Sequence, residues 1–179
     1  MKKQVFIYGA IAGCIVTAWM LYNAVKCYGS GSYDGSMLLG YASMILAFAF
    51  IFVAVKKYRV QHNDVISFGK AFKIGILISL IASTIYVAAW LIYYYFFIPD
   101  FMNRYTAHQI SELNQSHLPA KELAEKKEFI NSMKQWYNSI FGVILLTYME
   151  ILPVGIIVSL ITALILKRKQ SDGSNLVVN

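Results

Sequence analysis

The chain has 179 residues, 58% of them apolar and only 14% charged, with a net charge of +7 and a mean hydropathy of +0.55. Soluble domains carry about 25% charged residues, so this composition excludes an ordinary soluble globule. Net positive charge alone would admit nucleic acid as a partner; the distribution of that charge argues instead for membrane topology.

Four apolar runs stand out: Val5–Val25, Met37–Val55, Ile74–Ile98 and Ile140–Leu166, of 21, 19, 25 and 27 residues. About 20 helical residues cross a hydrocarbon core of roughly 30 Å. The expected fold is all-α: a polytopic membrane protein with four transmembrane helices in a single domain, 1–179. The helices cover about 5–25, 37–55, 74–98 and 140–166. An amphipathic helical hairpin at 100–139 lies between helices three and four, and a tail follows at 167–179. The first run is longer than a signal-peptide core and lacks a small-residue cleavage site, so a retained helix is expected. Lys26 ahead of Cys27 argues against lipidation.

Placing the N-terminus in the cytoplasm puts ten cations on the inner side (Lys2, Lys3, Lys56, Lys57, Arg59, Lys70, Lys73, Lys167, Arg168, Lys169) against Asp64 and Asp172. The outer side then holds six cations and six acids, with Glu150 left inside a span. The basic excess crowds helix ends, as the positive-inside rule requires, so both termini are expected in the cytoplasm of a bacterial cell membrane. The bilayer is the expected partner, together with a second copy or another membrane protein; no nucleic acid is expected.

Along the chain, Gly9 and Gly13 form a small-residue face on helix one for close packing. The glycine-rich stretch 29–35 has neither the spacing nor the context of a phosphate loop and reads as a flexible connection. Val65, Ile66, Phe68, Ala71 and Phe72, set among Lys70 and Lys73, suit a short interfacial helix feeding helix three. Gly75, Ser79 and Ser83 share one face of helix three, whose far end is dense in rings from Tyr86 to Phe97; these read as an aromatic belt, with a ligand cage as the sharper alternative. In 100–139, Phe129, Met133, Trp136, Tyr137 and Ile140 form one apolar flank expected to rest on the membrane or on that belt.

The runs Ser67–Gly75, Tyr86 through Trp90 to Tyr93, Pro99-Asp100-Phe101, and Glu150–Gly155 through Ser159-Leu160-Ile161 to Lys169 resemble the domain-of-unknown-function 4199 family. These are bacterial membrane proteins with four helices. The resemblance spans nearly the whole chain and implies the architecture; it carries no activity, cofactor or site residue with it.

No nucleophile motif is present, and no catalytic residue is assigned; an enzyme is not expected. His108, Glu112 and His117 could be ligands, but their spacing is weak and no metal or other cofactor is expected. Glu150 differs in kind. It lies 10 residues past Ile140, roughly 15 Å deep, where an ionised acid costs about 2.5–3.5 kcal/mol on insertion scales. A hydroxyl partner is therefore expected, with Ser83, Thr84, Tyr86 and Thr17 at matching depth and Thr147 and Tyr148 nearby. Pro153 frees the Met149 carbonyl and permits a kink. Gly155, Ser159 and Ala163 allow a neighbour to approach closely.

The expected role is a structural or accessory, non-enzymatic bundle with Glu150 as an intramembrane polar clamp. The alternative is a small proton-coupled transporter or channel subunit using Glu150 as its protonatable site. The topology has a direct check: a cysteine at Asn114 should react with an impermeant thiol reagent from outside intact cells and one at Asn63 should not, and inverse labelling would overturn the charge argument.

Overall fold

The computed structural model describes residues 1–30 and 37–168. Among them it contains six helices and no strand: α1 (Lys2–Ser30), α2 (Met37–Val60), α3 (Phe68–Phe96), α4 (Phe101–Gln115), α5 (Ala120–Tyr137) and α6 (Ile140–Leu166). Four of these, all but α4 and α5, are long and apolar enough to cross a membrane. Most of the glycine-rich stretch 29–35 and the tail beyond Arg168 lie outside the described residues.

The helix limits follow from local chemistry. α3 starts at Phe68 because the Ser67 side chain accepts from the Lys70 amide at 3.3 Å. Residues 68–73 are thus its first turns and do not form a separate interfacial helix, which corrects the expectation from their pattern. α2 runs on to Val60, with Lys57 and Arg59 in its last turn, where cations suit the helix dipole. α6 starts beside Ser139, whose Oγ accepts from the Gly142 amide at 3.0 Å, and continues unbroken through Pro153.

The four long helices run alternately up and down. α3 packs against α1 and α6, and α2 packs against the same two, so the order around the bundle is α1, α2, α6, α3. α2 and α3 also touch across one diagonal.

Small residues set the close approaches. A Cβ built on Gly75 would lie 2.6 Å from Ser159 Oγ, and one on Gly155 would lie 2.6 Å from Ser79 Oγ. The two Gly-x-x-x-Ser runs therefore face each other in antiparallel register, glycine opposite serine. The serines meet at 3.3 Å, and each also donates to the carbonyl of the glycine four residues before it. Phe48 and Ile51 of α2 are fully buried against this layer. On the other side of α3, Gly9 and Gly13 seat Ile81, Ala82 and Ile85. The Gly9/Gly13 face is thus used within the chain.

Each end of the bundle is tied. At the basic end, Ile66 and Arg168 exchange backbone hydrogen bonds of 3.1 and 2.9 Å. Asp64 bridges Arg59 at 2.9 Å and Arg168 at 2.7 Å. Asn63 and Asp64 occupy left-handed backbone at φ 53° and 60°, a conformation that Asn and Asp tolerate and most residues resist. A cysteine probe for this end is therefore better placed at Gly69, in the first turn of α3, where an added Cβ meets open space. At the opposite end, α5 docks onto the rest through Ile130, Met133 and Tyr137. Phe129, Trp136 and Ile140 stay more than half exposed. The predicted apolar flank of α5 thus splits, and Ile130 does the burying in place of Phe129.

The glycine layer makes a stability prediction. Gly75→Ala and Gly155→Ala should each lower stability in thermal unfolding of the detergent-solubilised chain, by about 1–3 kcal/mol, as overpacking does. Gly69→Ala should change it by no more than about 0.5 kcal/mol.

Candidate ligand cavity

Above the glycine–serine layer, toward the α4–α5 end, the bundle does not close. The residues facing each other become large, and a cavity of about 490 Å³ is left among all six helices. α1 contributes Trp19 and Asn23, α2 Gly40 and Met44, and α3 Tyr86 and Trp90. α4 supplies Phe101 and Tyr105, α5 Met133 and Tyr137, and α6 Thr147 and Glu150. The volume falls within the range of about 300–1,000 Å³ found for small-molecule sites.

Helical spacing explains how these side chains converge. Tyr86, Trp90 and Tyr94 recur every four residues, so they share one face of α3, and all three are buried. Tyr95, Phe96 and Phe97 stand on the other face and are exposed. The ring-dense end of α3 is therefore two populations: an outward-facing set and an inward column. On α6, Thr147 and Glu150 are three apart and so neighbours on the helix surface.

Glu150 and Tyr86 form the polar centre. Both line the cavity, and the Tyr86 hydroxyl and the Glu150 carboxylate lie close enough to interact. Glu150 is exposed by surface area, yet protein surrounds it on almost every side. Both statements hold because its carboxylate lines the cavity. Around it, the Tyr137 hydroxyl interacts with Trp90 and Thr147. Burial pushes the Tyr137 phenol up to about 12, and the nearby Glu150 charge adds to the shift. The Tyr105 phenol is raised in the same way, by burial first and then by Glu150 and Glu112. These hydroxyls stay protonated at neutral pH and can donate into the cavity.

The other residues singled out from sequence are distributed differently. Thr84 pairs with the Tyr148 hydroxyl at 2.9 Å on an exposed face. Thr17 and Ser83 are buried, and their oxygens find no hydrogen-bond partner among the described residues. Of the four proposed hydroxyl partners, Tyr86 is the one that Glu150 meets. Pro153 is exposed, while Gly155, Ser159, Gly75 and Ser79 form the layer beneath the cavity. His108 Nδ1 lies 3.9 Å from Glu112, and no group of three metal-ligating side chains occurs among the described residues. Met133, expected on the apolar flank of the hairpin, lines the cavity as well. The contributions of Tyr105, Asn23 and Cys27 were not anticipated, because they are single residues with no shared motif.

A second polar cluster ties α1 to the start of α4 beside the cavity residue Phe101. The Tyr28 hydroxyl donates to Asp100 at 2.6 Å, and Arg104 Nε donates to the other carboxylate oxygen, also at 2.6 Å. The Arg104 guanidinium lies 4.6 Å from the centre of the Tyr28 ring. The Tyr28 hydrogen bond and the Arg104 guanidinium hold the Asp100 carboxyl below the usual carboxylate range. Such a group contributes stability above its unfolded-state pKa, and this is lost as pH falls through the lower folded value. Asp100→Asn should therefore lower the melting temperature slightly at neutral pH and flatten the acid limb by the same amount, both effects being small because the site is exposed to solvent.

Residues 7–168 match a family described as protein of unknown function, DUF4199. No curated protein and no solved structure matches the chain.

Proposed function

We propose, for a chain that belongs to the DUF4199 family of unknown function, that it is a non-enzymatic multi-pass membrane protein that holds a small molecule in the cavity against Glu150. In this reading α1, α2, α3 and α6 span the cell membrane, both termini lie in the cytoplasm, and α4 and α5 form a helical hairpin over the outer mouth. The asymmetry of basic residues supports that orientation.

The observation that carries the reading is the state of Glu150. A purely structural clamp would be closed on all sides by protein partners, since an unsatisfied buried polar group is costly. Glu150 instead meets Tyr86 and turns an accessible carboxylate to a cavity large enough for a ligand. The pair still serves as a clamp between α3 and α6, so the two roles share one residue.

A second reading follows from the same position. The glycine–serine layer lies between the cavity and the basic end of the bundle, where one barrier of an alternating-access cycle would stand. Glu150 would then be the protonatable site of a small carrier. Unchanged pH-dependent flux in vesicles on Glu150→Gln would remove that reading.

The binding role is tested by small-molecule mass spectrometry of the purified full chain. Gly40 lines the cavity, and a Cβ added there meets nothing within 4 Å, so Gly40→Phe should fill the space without unfolding the bundle. Wild type should retain a small molecule that Gly40→Phe and Glu150→Gln lose. Identical extracts from all three proteins would leave only the clamp role.

A further inference from the structure

The geometry points to a small organic ammonium ion with an apolar body as the ligand of this cavity. The inference rests on the binding role proposed above and narrows it to a chemical class. Among the described residues that line the cavity, Glu150 alone has an acidic or basic side chain: no Lys, Arg or His faces it. An anionic ligand would meet an uncompensated carboxylate there. A wholly apolar ligand would cover that carboxylate and leave one oxygen without a partner. A divalent metal ion would demand several oxygen ligands, and the cavity offers one carboxylate. A single organic cation satisfies Glu150 and buries its own carbon surface.

The walls suit such a body. The rings of Tyr86, Trp90, Phe101, Tyr105 and Tyr137 share the cavity with Glu150. They are fixed against one another: Trp90 meets Phe101 edge-on, with centroids 5.4 Å apart at 85°, and Phe101 stacks on Tyr105 at 6.1 Å. Tyr94 holds Tyr137 at 5.5 Å from behind. Ring faces carry negative potential and attract ammonium groups, Trp most of all. Because the rings are pre-packed, little side-chain freedom is lost on binding. A carboxylate set among aromatic faces recognises charge and apolar bulk together, which a carboxylate in water does not.

The test uses the purified full chain in phosphatidylglycerol nanodiscs, titrated with benzyltrimethylammonium and read by tryptophan fluorescence, since Trp19 and Trp90 both line the cavity. A saturable change is expected. The neutral carbon isostere, neopentylbenzene, should bind more weakly by roughly tenfold or more, and Glu150→Gln should weaken the cation by a similar factor. Glu112→Gln removes an exposed carboxylate outside the cavity and should leave the affinity unchanged. Equal binding of the two probes, or an unchanged affinity in Glu150→Gln, would overturn the cation assignment. So would failure of both probes to bind a wild-type protein that retains a small molecule on purification; in each of these cases the binding role itself survives. Repeating the titration in phosphatidylethanolamine nanodiscs distinguishes the source of the cation. Competition by the lipid identifies an amine headgroup as the ligand, and unchanged affinity identifies a free amine.

Discussion

The structure depends on the contact between α3 and α6 at Gly75, Ser79, Gly155 and Ser159. Helices approach closely only where side chains are small, and here each glycine receives the serine of its neighbour. In an apolar environment no hydrophobic effect draws helices together, so tight packing and satisfied hydroxyls must hold them. The serine hydroxyls donate to carbonyls of their own helices and lie 3.3 Å from each other, so their protons are satisfied at the seam. Phe48 and Ile51 close the layer from α2, while Gly9 and Gly13 bring α1 onto the far side of α3.

That layer also determines where the molecule is open. About two turns further along α3 from Ser79, the inward residues become tyrosine and tryptophan, and α6 presents a glutamate beside them. Rings of that size cannot interdigitate as glycine and serine do, and the space among them is the cavity. The tight half of the bundle thus acts as the floor of the open half. Glu150 stands at this transition, beside Tyr86 and open to the cavity.

The α4–α5 end completes the enclosure by different physics. α4 and α5 carry too few aliphatic residues for a core of their own, so they borrow one from α3 and α6 through Met102, Met133 and Tyr137. Their position is fixed by the Tyr28–Asp100–Arg104 cluster at one corner and by Gly142 at the other. A side chain at Gly142 would run into the Trp136 carbonyl, so the turn between α5 and α6 admits no Cβ there. The basic end is held by the Asp64 bridges to Arg59 and Arg168, which join the α2–α3 loop to the end of α6.

The number of long apolar helices, the likeness to DUF4199 and the anomaly of Glu150 were determined by the sequence alone, while α1, α2 and α3 depart by several residues from the limits of their apolar runs. Continuous apolar length and a lone acid within an apolar run are one-dimensional properties, and they survive any arrangement of the helices. The small-residue faces were legible for the same reason, because a spacing of four marks one side of a helix. Which face meets which neighbour was not legible. The Gly75 and Gly155 runs looked alike in sequence, but only the antiparallel packing of α3 and α6 made them opposing halves of one contact. The rings of α3 read as a single belt until packing separated the buried column Tyr86, Trp90 and Tyr94 from the exposed Tyr95, Phe96 and Phe97. The cavity itself belongs wholly to tertiary structure: its walls come from six helices, from a single turn to about three turns of each. No local pattern encodes empty space, which exists only where bulky side chains from distant segments fail to fill the gap between them.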